Sequence, residues 1–127
     1  MNKIKFPNGF WWGAATSGPQ TEGRLPNNGK GDSIWDEWFK ESSERFFNQV
    51  GPEKTSQFLT KYKEDIQLMK ATGHTSYRTS IQWSRLIPEG TGAVNQKAVT
   101  FYNAVIDELM ANDIEPFINL FQFAMPM

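Results

Sequence analysis

Apolar residues recur with helical spacing between residues 54 and 72. Four of them are separated by four, four and three residues: Phe58, Tyr62, Ile66 and Met69. This spacing places their side chains on one face of an amphipathic helix. Gly73 follows where a helix C-cap is expected, so we predict a helix from Lys54 to Thr72 with one buried face.

Two further helices are predicted from capping residues. Asn95 can cap a second long helix, because its side chain can accept from the free N–H groups of a first turn. The apolar stripe that this helix is expected to bury comprises Val99, Tyr102, Ile106 and Leu109. Ser33 followed by Asp36 has the pattern of a capping box, which predicts a short helix through Phe39.

Three segments have the composition of strands. Residues 10–15 form a short run rich in aromatic rings that ends in the turn signal Thr16–Pro19, and we predict a buried strand there. Residues 75–81 are rich in β-branched and aromatic side chains, and residues 114–121 have the pattern of a third strand. The polar residues 21–31, rich in Gly, Asn and Pro, are predicted to form a long loop.

The order of these elements indicates an α/β protein. Strands that alternate with long helices favour parallel pairing, and each crossover is expected to be right-handed. A doubly wound sheet and a (β/α) barrel both fit this order. No Gly-x-Gly-x-x-Gly pattern follows the first strand, which argues against nucleotide binding.

Composition and charge exclude several classes of protein. The 127 residues suffice for one domain, with 39% apolar residues, 21% charged residues and a net charge of −1. Basic and acidic residues are interleaved, which argues against a nucleic-acid partner. The absence of cysteine excludes a disulfide framework and a thiolate nucleophile. No apolar run approaches the ~20 residues of a membrane span or the core of a signal peptide, so a cytoplasmic location is expected.

Aromatic residues make up 14% of the chain: ten Phe, five Trp and three Tyr. A core rich in rings explains this content without any functional role. A sugar-binding site explains it as well, because the C–H faces of a pyranose stack on Trp and Tyr. Composition alone favours the core.

Five stretches, taken in order, carry a resemblance to a known family. They are residues 6–17 with Gln20, Glu22 and Gly23; residues 62–70; residues 77–88; residues 101–107; and residues 114–116. Any one of these could arise by chance, but five in the right order are specific. From about Phe6 to its last residue, the chain resembles the family 1 glycoside hydrolases. Gly18–Pro19, Thr79 and Phe123 are most similar to the branch that acts on phosphoglycosides.

The resemblance implies a (β/α)₈ barrel and a retaining hydrolase. Such a barrel needs at least ~250 residues and eight strands. We therefore expect residues 1–127 to be the N-terminal portion of a single barrel domain, a partial (β/α)₈ TIM barrel with three strands.

Retaining hydrolysis needs two carboxyl groups ~5–5.5 Å apart. By the resemblance these are glutamates in an Asn-Glu-Pro motif and a Glu-Asn-Gly motif, and neither motif occurs in the 127 residues. The pair Glu64–Asp65 lies within a predicted helix and is interpreted as a solvated face. Glu22 and Glu115 are weaker candidates, which we expect to belong to a loop and to the start of a strand.

Three residues are predicted to lie at the C-terminal ends of the strands, where barrel active sites form. By the resemblance, Gln20 holds sugar hydroxyls with its amide, and Arg78 contacts the nucleophilic carboxylate and keeps it ionised. Gln122 is the third candidate for substrate binding. The alternatives are a simple turn amide for Gln20 and a structural ion pair for Arg78.

The third strand end departs from the family pattern. Relatives usually carry His at the position of Gln122 and Asp at that of Ala124. An amide can still donate to a sugar hydroxyl, but alanine cannot replace an aspartate. His74, the only histidine, is predicted to lie on the N-terminal side of the second strand, in a structural role. Arg24 and Lys30 fall in a loop that looks mobile, and we do not assign them to phosphate.

The functional expectation is hydrolysis of β-glucosides or 6-phospho-β-glucosides by a full-length parent, with no metal and no cofactor. The chain alone is expected to be inactive. Two alternatives stay open: a carbohydrate-binding remnant that uses Gln20, Gln122 and Trp side chains, and a chain that associates with itself through unpaired sheet edges.

Overall fold

The structure, a computed structural model, describes residues 3–127. Its helices and strands follow in the order β1 (Gly13–Ala15), α1 (Gly18–Thr21), α2 (Ile34–Glu41), α3 (Phe58–Ala71), β2 (Ser76–Ser80), α4 (Trp83–Leu86), α5 (Gln96–Ala111) and β3 (Glu115–Asn119). Two short 3₁₀ turns, Ser43–Arg45 and Phe47–Gln49, lie between α2 and α3.

The three strands form one parallel sheet in the order β1-β2-β3. Gly13 pairs with Ser76, and Ser76 pairs in turn with Glu115. Because all three strands run the same way, their carboxyl ends lie at one edge of the sheet. The predicted α/β class with parallel pairing is confirmed.

The hydrophobic core lies between the sheet and the two long helices. Its buried members come from α3, β2, α5 and the residue before β3: Phe58, Ile66, Tyr77, Val105, Leu109 and Ile114. Tyr62, Met69 and Phe101 pack against this cluster. The predicted buried face of α3 is therefore correct.

The stripe predicted for α5 is wrong by one position over most of its length. The helix buries Ala98, Val105 and Leu109 and packs Phe101 on the core, while Val99 and Ile106 are only half-buried. Apolar residues occupy both sets of positions, so the spacing alone did not fix the rotation of the helix about its axis.

The opposite face of the sheet carries exposed aromatic side chains. Side chains alternate along a strand, so Arg78 and Phe117, which are paired in the register, point away from the core that contains Tyr77. Trp11, two residues before β1, stacks edge-on against Phe117 with ring centroids 4.8 Å apart. Their exposed fractions are 59% and 38%.

The prediction of a buried first strand is wrong. All three residues of β1 are exposed, because β1 is an edge strand that pairs with β2 on one side and with no described strand on the other. The predicted turn at Thr16–Pro19 is wrong in part, since Gly18 and Pro19 begin the short helix α1. Pro19 fits a first helical turn, where its missing N–H is not needed.

The loop before α2 is held by ion pairs, which corrects our view of it as mobile. Lys30 is buried and its Nζ lies 2.6 Å from Asp36 Oδ2, which also accepts from the backbone N–H of Ser33 at 2.8 Å. Arg24 bonds to Asp32. Lys40 and Arg24 lower the pKa of Asp32 to about 2. The predicted capping residues of α2, Ser33 and Asp36, are confirmed.

Replacing Asn95 with alanine is expected to lower the free energy of unfolding by about 1–2 kcal/mol. Its Oδ1 accepts from the Lys97 N–H at 3.1 Å, and its Nδ2 donates to the carbonyls of Asn28 and Arg85 at 2.9 and 3.0 Å. Urea unfolding of Asn95→Ala checks this. Asn103→Ala, at an exposed position of the same helix, should change the value by less than about 0.5 kcal/mol. Equal effects at both positions would contradict the capping role.

Candidate functional site

The end of β1 turns directly into α1, which carries Gln20. The hydroxyl of Ser17, which is fully buried, donates to Gln20 Oε1 at 2.8 Å, and the Gln20 N–H donates to the Ser17 carbonyl at 3.1 Å. Gln20 is exposed. Oε1 accepts one hydrogen bond from Ser17 and can accept a second, and the amide Nε2 can donate to a ligand.

Gly18 allows α1 to approach β2 closely. A Cβ at this position would lie 2.6 Å from Gln82 Cγ, 2.7 Å from Glu22 Oε1 and 2.9 Å from the Ser80 carbonyl oxygen. The Gly18 N–H donates to Ser80 Oγ at 3.0 Å. The absence of a side chain therefore lets this turn lie directly against the end of β2.

Arg78 lies in the middle of β2 rather than at its end. Its guanidinium reaches the first residue after β1, where Nη1 donates to the Thr16 carbonyl at 3.3 Å. The Thr16 N–H in turn donates to the Arg78 carbonyl at 2.9 Å. Arg78 is half-buried and points to the open side of the sheet. Its position between the β1 turn and the open face leaves it able to contact an anion there.

Gln122 lies three residues after the end of β3. Its side-chain Oε1 is buried and has no hydrogen-bond partner in the described part of the chain. Ala124 is fully buried, and its N–H donates to the Gln122 carbonyl at 2.8 Å. Arg78 thus contacts Thr16 and Gln20 contacts Ser17, two neighbouring residues after β1, while Gln122 follows β3 at the same end of the sheet.

A buried polar cluster next to Gln20 was not predicted from the sequence. Its centre is Glu22, which is 3% exposed. Glu22 Oε2 accepts from Gln82 Nε2 and from Arg85 Nε, each at 2.7 Å, and the Tyr102 hydroxyl donates to Oε1 at 3.0 Å. Glu22 lies directly after α1, as its C-cap, so the prediction that it belongs to loop structure is correct. The prediction did not include its burial or its ion pair with Arg85, which is 1% exposed.

Burial and charge act in opposite directions on this cluster. Burial raises the pKa of the Glu22 carboxyl above its ordinary value, while the Arg85 guanidinium and the other donors oppose that rise. Burial and the nearby Glu22 carboxyl raise the pKa of Tyr102 well above its usual range. The Tyr102 hydroxyl therefore stays protonated and donates a hydrogen bond to the Glu22 carboxylate. Sequence spacing gave no signal for the cluster, because the partners of Glu22 lie 60, 63 and 80 residues away.

The other acidic candidates lie away from this edge. Within α3, Glu64 is exposed, as predicted for a solvated face, whereas Asp65 is half-buried. Glu115 is exposed at the first residue of β3. His74 lies between α3 and β2, with its Nδ1 3.0 Å from the Thr72 hydroxyl. Among residues 3–127, no three His, Cys, Asp or Glu side chains group as metal ligands would. The helices in that range are too short or too polar to span a bilayer.

A groove of about 520 Å³ lies at the opposite end of the sheet. Its walls include Trp11, Thr75, Asp113 and Glu115, which precede or begin the strands. This is the amino-terminal end, which in a barrel is the side away from the active site. The groove therefore does not belong with the three candidate residues.

The parallel sheet carries long helices on one face, leaves the other face open and has polar side chains at its carboxyl edge. This arrangement defines the class of the protein as part of an α/β barrel. The sequence model of Glycosyl hydrolase family 1 matches residues 2–127. The chain belongs to this family.

Two curated relatives show how much of a family member the chain covers. It is 61% identical over 125 residues to the 6-phospho-beta-glucosidase GmuD of Bacillus subtilis (strain 168), which spans 98% of this chain and 27% of that protein. It is 42% identical over 125 residues to the cytosolic beta-glucosidase of Homo sapiens, which spans 97% of this chain and 26% of that protein. The chain thus spans about a quarter of the length of these relatives.

Solved structures give the same match in three dimensions. An aphid myrosinase superposes with a TM-score of 0.91 and 34% identity, over 97% of this chain and 27% of that one. A family 1 β-glucosidase from Thermotoga maritima superposes with a TM-score of 0.89 and 40% identity, over 96% and 27%. The predicted fold is confirmed as a portion of a glycosidase TIM barrel.

Proposed function

We propose that the 127 residues form the N-terminal portion of one barrel domain whose whole protein hydrolyses 6-phospho-β-glucosides with retention of configuration. The observation that carries this is the 61% identity to the 6-phospho-beta-glucosidase of Bacillus subtilis across 98% of the chain. The family match supports glycoside hydrolysis as the reaction. The choice of a phosphorylated substrate is the finer part of the proposal, with β-glucosides as the alternative.

Within that reaction, Gln20 would bind the sugar and Arg78 would act on a carboxylate. The Ser17 hydroxyl orients the Gln20 amide by donating to Oε1, and Nε2 would donate to a sugar hydroxyl. Arg78 points to the open side of the sheet, where the nucleophilic glutamate of a complete barrel would lie. A guanidinium beside that carboxylate favours its ionised form and supports attack on the sugar carbon.

Gln122 is the third proposed contact with the substrate. Its amide can donate to a hydroxyl as the histidine of relatives would. Its buried Oε1 has no partner among the described residues, and such a group costs free energy unless it is satisfied. A donor from the substrate or from the remainder of the barrel would satisfy it. The proposal involves no metal and no cofactor, and the cytoplasmic location stays a prediction.

A hybrid of this chain with the remaining residues of the Bacillus subtilis relative tests the function. We expect the hybrid to hydrolyse a chromogenic β-glucoside 6-phosphate faster than the unphosphorylated glucoside. Gln20→Ala should lower kcat/KM by about tenfold, because a hydrogen bond to substrate contributes about 1 kcal/mol or more. Gln67→Ala removes the same kind of amide from an exposed position of α3 and should leave kcat/KM within about twofold.

Two results would contradict the proposal. A folded hybrid without activity on either glucoside would reject hydrolysis as the function to which these residues contribute. Equal losses in Gln20→Ala and Gln67→Ala would reject the role of Gln20 in binding the sugar.

The open face of the sheet favours a second candidate for the 127 residues by themselves, which is self-association. Trp11 and Phe117 stack on each other there and both are exposed. Both edge strands also have one side without a partner in the described sheet. A second copy could cover this surface when no other chain does.

A further inference from the structure

The carboxylate of Glu22 links α1 to two elements that are distant in sequence, α4 and α5. It accepts from Gln82 just before α4, from Arg85 in α4 and from Tyr102 in α5. Glu22 itself ends α1, and its N–H donates to the Gly18 carbonyl at 2.9 Å. The carboxylate therefore ties α1 to the segment after β2 and to α5 at once.

The direction of the Gln20 amide depends on where α1 lies. Gln20 is two residues before Glu22, and its only described side-chain partner is the Ser17 hydroxyl at the start of the same turn. Other hydrogen bonds also hold the turn: the Gly18 N–H donates to Ser80 Oγ at 3.0 Å, Ser56 Oγ to the Thr21 carbonyl at 3.2 Å and the Leu59 N–H to the Glu22 carbonyl at 3.3 Å. None of these involves the Glu22 carboxylate. A shift of α1 would move Gln20 and Ser17 together and would leave their mutual hydrogen bond intact.

We propose that Glu22 is a positioning residue for the site at the strand ends. Its carboxylate fixes α1 against α4 and α5, and thereby aims the Gln20 amide without touching the substrate. The step from α1 to sugar binding rests on the proposed function, since it takes Gln20 to be a sugar ligand. The effect of Glu22 on how rigidly the Gln20 side chain is held does not depend on the proposed function.

The buried ion pair between Glu22 and Arg85 restrains the geometry of α1 more than it stabilises the fold. A buried pair can often be replaced by apolar residues of similar volume without loss of stability. Apolar contacts are non-directional, whereas hydrogen bonds restrict both distance and angle. Arg85 adds a second restraint, because its Nη2 donates to the carbonyl of Gly23 at 2.6 Å. The pair therefore restrains geometry in a way that an apolar replacement would not.

The test replaces the pair by apolar residues in the 127-residue chain. Solution NMR measures the order parameter of the Gln20 side-chain Nε2, whose signal is assigned by its loss in Gln20→Ala. In the double variant Glu22→Leu/Arg85→Met, we expect this order parameter to fall from its value in the unmodified chain to below about 0.6, the range of flexible groups. The urea midpoint should stay close to that of the unmodified chain.

A second buried ion pair supplies the matched control. Lys30 and Asp36 are buried to a similar degree, with side chains 4% and 6% exposed, and the other described partners of these side chains are Arg24, Gly31 and Ser33, which lie outside α1. Lys30→Met/Asp36→Leu should leave the Gln20 order parameter unchanged. If the Glu22 and Arg85 double variant fails to fold, Tyr102→Phe removes one donor to Glu22, and a smaller fall in the same order parameter is expected.

A rigid Gln20 in every folded variant that lacks the Glu22 contacts would overturn the proposal. Equal losses of order in both ion-pair variants would overturn it as well, because they would show a general effect of stability. The hybrid enzyme separates this from the proposed function. There, the Glu22 and Arg85 double variant should raise KM about tenfold, and should add nothing to the KM of Gln20→Ala. A disordered Gln20 in an inactive hybrid would reject the function and keep the positioning role.

Discussion

The purified 127-residue chain is expected to show no turnover of a chromogenic β-glucoside 6-phosphate. Retaining hydrolysis needs an acid/base and a nucleophile held ~5–5.5 Å apart. The buried Glu22 is bonded to Arg85, Gln82 and Tyr102, so it is not available to either role. Glu64 lies at an exposed position within α3, away from the carboxyl ends of the strands. Loss of a catalytic group that acts as part of a unit lowers kcat by about 10⁶-fold in a well-studied hydrolase.

The measurement is release of the chromophore over hours at high micromolar protein, compared with the hybrid at nanomolar concentration. Arg78→Ala in the same chain is the control, since a trace of a contaminating enzyme would be unaffected by it. Turnover by the chain that disappears in Arg78→Ala would show the expectation to be wrong.

The same chain is expected to associate with itself in solution. Trp11 and Phe117 lie on the open face of the sheet, and Leu120 and Phe121 follow β3 with exposed fractions of 71% and 50%. Burying one such side chain contributes about 1.5–3 kcal/mol. Burying several of them contributes a free energy comparable with the ~5–15 kcal/mol of a domain's stability. The associated state should therefore be favoured at micromolar concentration.

Sedimentation velocity at several concentrations measures this association. Phe117→Glu should shift the chain toward a monomer by placing a charge on the open face. Leu68→Glu is the matched control, since Leu68 is 64% exposed on α3, away from that face, and the change should leave the association intact. A compact, cooperatively folding monomer at high micromolar concentration would contradict the expectation.

Local patterns in the sequence predicted most of the fold. The spacing of apolar residues located α3, and the cap at Asn95 located the start of α5, because both signals depend on residues one turn apart. Parallel pairing followed from the alternation of strands and helices. The rotation of α5 could not be predicted in this way, because Phe101 and Tyr102 are both aromatic and only the sheet decides which one faces the core.

The sequence predicted only the part of the candidate site whose position follows from the ends of the strands. Gln20 and Gln122 lie within five residues after the ends of β1 and β3, so the order of elements brings them to one edge of the sheet. Glu22 was missed because its partners come from two other elements, and no short motif joins them. The burial of β1 was misjudged for a related reason, since an aromatic run does not reveal whether the neighbouring strands are present.

The distance in sequence between Glu22 and Tyr102 also affects when the site can form during synthesis. Tyr102 is made 80 residues after Glu22. At about 5–20 residues per second, this interval is about 4–16 s. During that interval the Glu22 carboxylate is in the nascent chain without its last donor, and it stays hydrated. The turn that carries Gln20 can therefore reach its final position only after α5 has been translated.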